Sequence, residues 1–191
     1  MRLRILDTGH SFGTKILFAV IRGISRRPVP DAAKLVSYRP DFYGRINFTH
    51  DTMRGSSAWS VGDRELMAAF VSKVNGCDFC VKAHGAVAER AYHDSAKVGM
   101  VLSDLEKAPI EEPLRATLRM LGKLTREHVV NADDMRAVLK VGVSREQIED
   151  ALAVCFAFNT TNRLADAFGF AILSREGFEA GAKYLLARGY R

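Results

Sequence analysis

Residues 65–84 read ELMAAFVSKVNGCDFCVKAH, and the first half of this stretch carries apolar residues at spacings of three and four. That period is typical of the buried face of a helix, and it predicts a helix over about residues 61–74. Asn75-Gly76 follows, and both residue types tolerate the left-handed conformation in which many helices end. A second helix is predicted over about residues 77–92. These two helices, joined by a tight turn, are the predicted centre of the fold.

The rest of the chain is predicted to be helical as well, since no stretch alternates convincingly between apolar and polar residues. Asp31 is predicted to cap a short helix, and Ser144 with Gln147 forms a capping-box pattern before a long apolar helix. A turn is expected at residues 39–44, and a polar loop at residues 50–57. A polar patch at residues 159–163 is expected to interrupt the long helix. The other predicted helices are 11–24, 31–36, one ending at 48, 95–107, 113–126, 131–141, 165–173 and 175–188. The sequence therefore predicts an all-α fold.

The basic charge of the chain is confined to its first part. Residues 1–45 carry nine Lys and Arg against three Asp and Glu, which accounts for the whole net charge of +6. We therefore predict a basic helical arm over residues 1–37 and one all-helical domain over residues 38–191. The arm lacks aromatic interleaving and a helix-turn-helix pattern, so nucleic acid is not expected as a partner. A basic amphipathic arm touching a membrane remains an alternative to one packed on its own or a neighbouring subunit.

Cysteine usage and hydropathy indicate a reducing compartment. Three cysteines are too few and too uneven for the disulfide framework of a secreted domain. A close Cys-x-x-Cys pair in such a chain indicates redox or metal chemistry. No apolar run approaches the roughly 18 residues needed to span a bilayer. We therefore expect a cytoplasmic protein that does not enter a membrane.

The spacing of Glu65, Cys77, Cys80 and His84 suits thiol chemistry. The reactive form is the thiolate, whose pKa falls near a helix N-terminus or in a Cys-x-x-Cys pair. His84 lies one helical turn after Cys80, so its imidazole can take the thiol proton, and Glu65 on the preceding helix can orient that imidazole. Cys77 is placed to attack an oxidised Cys80 and close a disulfide. The residues therefore predict peroxide reduction or disulfide exchange.

Other uses of the two cysteines stay open at this point. Zinc could take Cys77, Cys80 and His84, but a closed structural site needs a fourth ligand. Covalent haem attachment needs a histidine directly after the second cysteine, where Val81 stands, and a thioredoxin-type motif needs a βαβ setting. Cysteines buried simply as small apolar residues are a further alternative.

The central residues resemble the alkylhydroperoxidase D and carboxymuconolactone decarboxylase superfamily. Its thiol-active members carry Glu, eleven residues, Cys-x-x-Cys, three residues and His, and Glu65, Cys77, Cys80 and His84 match that pattern. The flanking stretches 39–42 (RPDF) and 158–166 (FNTTNRLAD) resemble the peroxidase-related branch. In the best-studied members a histidine stands where this chain has Phe79. The lactone decarboxylases of the superfamily generally lack the cysteine pair, so that activity is not expected.

The resemblance implies a compact all-helical fold, with the Cys-x-x-Cys at the N-terminus of a central helix, that assembles into homo-oligomers. It also implies a site without metal or organic cofactor. In this scheme Cys80 attacks the peroxide, Cys77 resolves it, and Glu65 with His84 relays protons. A dithiol donor such as a lipoyl protein or a thioredoxin-like protein then restores the pair. The implied activity is that of a thiol-dependent peroxidase.

Several residues outside the motif have two interpretations. Asn162 and Arg163 either line a substrate pocket opposite the cysteines or cap a break in the long helix. Cys155 is expected to be a core thiol, and His50 a surface or loop histidine. Two further hypotheses remain for the whole chain. One is a redox-responsive oligomer that binds a partner through its basic arm, and the other is small-acid chemistry with His84 as base and the cysteines as bystanders.

Overall fold

The computed structural model describes residues 5–39 and 46–190, and in these residues it shows eleven helices and no strand, which confirms the all-α prediction. The predicted turn at residues 39–44 lies, apart from Arg39, outside the described residues. The helices are α1 Ile5–Thr8, α2 Phe12–Ser25, α3 Asp31–Tyr38, α4 Ile46–Arg54, α5 Val61–Val74, α6 Asp78–Tyr92, α7 Ser95–Ser103, α8 Glu112–Glu127, α9 Ala132–Lys140, α10 Arg145–Phe168 and α11 Arg175–Arg188.

The α5–α6 pair is the centre of the core. A reciprocal capping box between Ser60 and Asp63 opens α5, which satisfies two of its first free backbone N–H groups. Residues 64–72 of α5 are all buried, because α6, α8 and α10 surround this helix. Gly76, at φ 73°, makes the turn into α6, where an L side chain would be strained. The two helices predicted from residues 65–84 are therefore present with nearly the predicted ends.

The loop predicted at residues 50–57 begins only after Arg54, and the break predicted at residues 159–163 is wrong. Residues 50–54 belong to α4, and α10 runs through residues 159–163 without interruption. The polar side chains that suggested a break in α10 find partners along or across the helix. Asn159 donates to the Cys155 carbonyl four residues earlier, at 3.0 Å. Asn162 is fully buried and accepts a hydrogen bond from Ser72 at 3.3 Å. Because these side chains are hydrogen-bonded, the helix continues through the polar stretch.

The N-terminal helices lie against the start of α6. Leu6 of α1 and Leu35 of α3 are fully buried in one apolar cluster with Cys77, Cys80 and Phe170. The prediction that Asp31 caps α3 is wrong, because Pro30 is the N-cap and Asp31 is the first helical residue. The Asp31 carboxylate instead accepts from the Ala171 backbone N–H at 2.8 Å. This bond ties the arm to the segment that follows α10.

Helix α2 differs from the others because none of its residues is buried. Phe12 and Ile24 are 81% and 82% exposed. The apolar side chains share one broad face, which is the pattern of an amphipathic helix. No helix among the described residues is long and apolar enough to cross a membrane.

Candidate active site

The two cysteines of the motif sit at the beginning of α6. Cys77 is the N-cap residue and Cys80 lies in the first turn, so both are near the positive end of the helix. Both thiols are free, and both residues are buried, with exposures of 0% and 1%. The pair belongs to a buried apolar cluster with Leu6, Leu35 and Phe170, which we call the cover. A reagent in solvent therefore reaches these sulfurs only when this cover opens.

The two thiols share their protons unequally. The pKa of Cys77 is lowered, chiefly because its sulfur accepts a hydrogen bond from the Cys80 thiol. The same bond, with burial added, raises the pKa of Cys80. Asp166 of α10 opposes ionisation of both sulfurs, since its negative charge raises each pKa.

Glu65 and His84 are in direct contact. The Glu65 carboxylate, fully buried in α5, accepts from His84 Nδ1 at 2.8 Å through Oε2. Its other oxygen, Oε1, accepts from Arg54 Nη2 at 2.6 Å and from the Tyr190 hydroxyl at 2.8 Å. Burial alone would raise the pKa of Glu65, but the hydrogen bond from His84, with the charges of His84 and Arg54, holds it below its usual range. Glu65 is therefore an ionised carboxylate.

This ionised state fixes the protons of the imidazole. A carboxylate only accepts, so the proton on the near nitrogen of His84 belongs to Nδ1. The Tyr190 hydroxyl stays protonated, because burial and the charge of Glu65 raise its pKa. The Tyr190 hydroxyl donates its hydrogen bond to Glu65. Its oxygen lies 3.1 Å from His84 Nδ1 and accepts a second, longer hydrogen bond from the same N–H that Glu65 accepts. In the neutral form of His84 the proton therefore sits on Nδ1, and Nε2 is the ring atom left to exchange a proton with a thiol or a substrate.

Sequence reasoning missed Arg54, Tyr190 and His50. Arg54 and Tyr190 stand 11 and 125 residues from Glu65, so no spacing pattern links them to it. Arg54 also lies over the Tyr190 ring at 5.1 Å, and His50 Nδ1 accepts from the Tyr190 backbone N–H at 3.2 Å. The prediction of His50 as a surface or loop histidine is wrong, since α4 carries it to this contact. The only available signal was a pair of polar residues one turn apart in α4.

The remaining candidate residues lie away from the relay. Arg163 is exposed, donates to Asn75 at 3.2 Å and lines an open groove of about 590 Å³ beside Leu124, Leu152 and Phe156. Cys155 is buried at the base of that groove, 3.3 Å from the Asn159 amide. Asn162 is buried against α5 rather than open to the groove. No break exists for Asn162 or Arg163 to cap, and substrate binding by either stays a prediction.

The expected contact between Cys80 and His84 is not a hydrogen bond in this state. Within the described residues, the hydrogen bonds of the His84 ring run from Nδ1 to Glu65 and Tyr190. The edge of the His84 ring packs on Phe158, with centroids 4.4 Å apart. Phe79, between the cysteines, packs edge-on against Phe170 at 5.2 Å. Among the same residues, no three His, Cys, Asp or Glu side chains are grouped closely enough to hold a metal ion.

A Cys-x-x-Cys pair that opens a central helix, next to a helix whose glutamate holds a histidine, is the arrangement that the resemblance to alkylhydroperoxidase D-like proteins implied. Residues 40–106 match the model of the carboxymuconolactone decarboxylase family. The resemblance predicted from the central motif is therefore confirmed. No curated protein matches the chain.

Solved structures share the fold over nearly its whole length. A crystal structure of an uncharacterized peroxidase-related protein from Silicibacter sp. TM1040 is 25% identical, with a TM-score of 0.75 over 90% of this chain and 91% of that one. An alkylhydroperoxidase AhpD core protein from Ralstonia eutropha JMP134, also described as uncharacterized and peroxidase-related, is 24% identical, with a TM-score of 0.73 over 93% of each. The debrominase Bmp8 is 16% identical, with a TM-score of 0.71 over 91% of this chain and 94% of that one. This chain is thus similar to AhpD-like, peroxidase-related proteins.

Proposed function

We propose that this protein is a thiol-dependent peroxidase that works through a Cys77–Cys80 redox pair. One observation carries the proposal. The buried, ionised carboxylate of Glu65 accepts a hydrogen bond of 2.8 Å from His84, and His84 lies on the helix that the two free thiols open. A structural core has little use for a buried carboxylate, an imidazole and two thiols on two adjacent helices, because burying polar groups costs free energy. The similarity to peroxidase-related proteins supports the same assignment.

The proposed reaction moves two electrons from the sulfurs to the peroxide. Nε2 of His84 takes the proton of Cys80, and the thiolate attacks the peroxide oxygen, which forms the S–O bond and breaks the O–O bond. The leaving alkoxide or hydroxide takes that proton from His84. Cys77 then attacks the sulfenic sulfur, closing the disulfide and releasing water. A dithiol donor, such as a lipoyl or thioredoxin-like protein, returns two electrons by thiol–disulfide exchange.

Mass spectrometry after one equivalent of hydrogen peroxide tests this function. The expected product is a Cys77–Cys80 disulfide with Cys155 still free, formed without added metal or cofactor. Consumption of further peroxide should require a dithiol such as dihydrolipoamide. Three free thiols after the treatment would contradict the proposal.

The cover over the pair predicts a specific change in thiol reactivity. Leu35→Ala removes a fully buried side chain from the apolar cluster that contains the cysteines, and such changes cost about 2–5 kcal/mol and leave a cavity. We expect an aromatic disulfide reagent for thiols to label Cys77 and Cys80 at least several-fold faster in this variant than in the wild type. The labelling rate of Cys155 should not change. Leu17→Ala, on the exposed face of α2, is the matched control. Equal acceleration at Cys155 would indicate global loosening and would contradict a local cover.

A second function, binding of another copy of this chain, is favoured by the bare apolar face of α2. The groove lined by Leu124, Leu152 and Phe156 offers an apolar surface of the kind that receives amphipathic helices. Sedimentation equilibrium of a variant with Val20→Asn and Ile24→Asn should then show a smaller assembly than the wild type. Lys15→Asn, on the polar side of α2, is the control. If the variant with Val20→Asn and Ile24→Asn forms an assembly of the wild-type size, this proposal is wrong.

A further inference from the structure

Tyr190 is the third member of a closed hydrogen-bond ring. Its hydroxyl donates to Glu65 Oε1 at 2.8 Å, His84 Nδ1 donates to Glu65 Oε2 at 2.8 Å, and the hydroxyl oxygen lies 3.1 Å from that Nδ1. The Tyr190 and His84 rings are nearly parallel, 14° apart, with centroids at 6.1 Å. The four polar atoms that close this ring are paired with one another, and they lie in a site where Glu65 and His84 are buried and Tyr190 is partly buried. Such complete pairing is what a rigid polar network needs in a low-dielectric interior.

The backbone around Tyr190 is arranged to deliver this side chain. Gly189 ends α11 at φ 69°, and a Cβ there would stand 2.6 Å from His50 Cε1, so the turn admits little beyond glycine. His50 accepts from the Tyr190 backbone N–H, and Arg54 Nη2 donates to the Leu185 carbonyl at 3.2 Å. Arg54 thus holds both the end of α11 and the Glu65 carboxylate. His50 and Arg54 of α4 therefore fix the position of the Tyr190 side chain.

We propose that Tyr190 is a positioning residue of the proton relay, holding the Glu65 carboxylate and the Nδ1–H tautomer of His84 in register. By occupying Oε1 together with Arg54, it leaves Oε2 facing His84. By accepting from Nδ1–H, it favours the tautomer whose Nε2 is basic. Tyr190 touches neither sulfur in these contacts, so it acts through Glu65 and His84. The catalytic part of this inference rests on the proposed peroxidase function, whereas the tautomer part does not.

The pH dependence of this effect has a definite direction. Glu65 faces Arg54 from α4, His84 from α6 and Tyr190 after α11. The Tyr190 hydrogen bond is one of the interactions that lower the pKa of Glu65. Without it the carboxylate takes up its proton at a higher pH, and the relay is lost sooner on acidification. The acid limb of the activity profile therefore moves to higher pH when the hydroxyl is removed.

Tyr190→Phe tests the proposal while keeping the ring and its contact with Arg54. The expected result is about a tenfold lower kcat with hydrogen peroxide, an unchanged KM, and an acid limb moved to higher pH, since one charged hydrogen bond is lost. Tyr92→Phe is the matched control. It also removes a hydrogen bond from a tyrosine to a carboxylate, but that carboxylate is Asp63, which caps the N-terminus of α5. A kcat and pH profile equal to the wild type in Tyr190→Phe would overturn the positioning role.

Nitrogen-15 NMR of the His84 ring gives a readout that does not require turnover. The wild type should show a protonated Nδ1 and an unprotonated Nε2 at neutral pH, and Tyr190→Phe should show exchange between the two tautomers. If the wild type consumes no peroxide but the tautomer still depends on Tyr190, the proposed function fails and the positioning role stands. If the same single tautomer persists in both proteins, the positioning role fails whatever the activity.

Discussion

Cys80→Ser is expected to abolish peroxide consumption and disulfide formation. In the proposed scheme Cys80 supplies the attacking sulfur, and a serine hydroxyl cannot form a sulfenic acid or a disulfide. The wild type, with three cysteines, should lose two thiols on treatment with peroxide, and the variant should keep both of its own. Thiol titration before and after peroxide measures this directly. The expected loss of turnover is complete, because Cys155 belongs to a different buried cluster from Cys77 and Cys80.

The companion variants decide which sulfur attacks. Cys77→Ser should still form a sulfenic acid at Cys80, trapped by dimedone, but should over-oxidise instead of turning over. Cys155→Ser should leave turnover at the wild-type level, since Cys155 lies beneath the separate groove of α8 and α10. The lowered pKa of Cys77 makes the opposite order a real alternative. Dimedone labelling of Cys77 in Cys80→Ser, and none in Cys77→Ser, would reverse the assignment.

Glu65→Gln is expected to reduce both activity and stability strongly. The variant leaves Arg54, whose side chain is 10% exposed, without its carboxylate partner, and breaking a buried ion pair costs about 3–5 kcal/mol. It also lets the amide present its NH₂ group to His84, so Nδ1 no longer has to carry the proton. Loss of a positioned acid–base group lowers kcat by roughly 10²–10⁴. Urea unfolding and steady-state peroxide assays measure the two effects.

The stability effect should depend on pH in a defined way. Because the pKa of Glu65 is lower in the folded state, its contribution is complete above the ordinary carboxyl pKa of about 4.3 and is lost as pH falls through the lower folded value. The free-energy gap between wild type and Glu65→Gln should therefore be largest at neutral pH and shrink below about pH 4. Glu112→Gln is the control, since its ion pair with Arg119 is exposed and worth little. A gap that stays constant from pH 7 to pH 3 would contradict an ionised Glu65.

Local pattern was enough to predict most of the helices and the core of the site. Spacings of three and four placed α5, and Ser144 with Gln147 opened α10 as predicted, because both features act within one or two helical turns. The contact between Glu65 and His84 was also predicted, since two helices joined by a short turn must pack against each other. The catalytic roles of these residues stay predictions. The polar stretch 159–163 gave a wrong prediction because its partners Ser72 and Asn75 lie in and at the end of α5, far away in the sequence.

The sequence by itself determined the helical class, the central helical hairpin and the contact between Glu65 and His84, because each depends on short-range spacing. Only the tertiary structure brought Arg54 and Tyr190 onto Glu65 and placed Leu6 and Leu35 in the buried cluster that contains the cysteines. Those contacts join residues that are distant along the chain, and their geometry follows from how the helices pack. The free energy that orients the relay and shields the thiols therefore comes from packing, which no local pattern encodes.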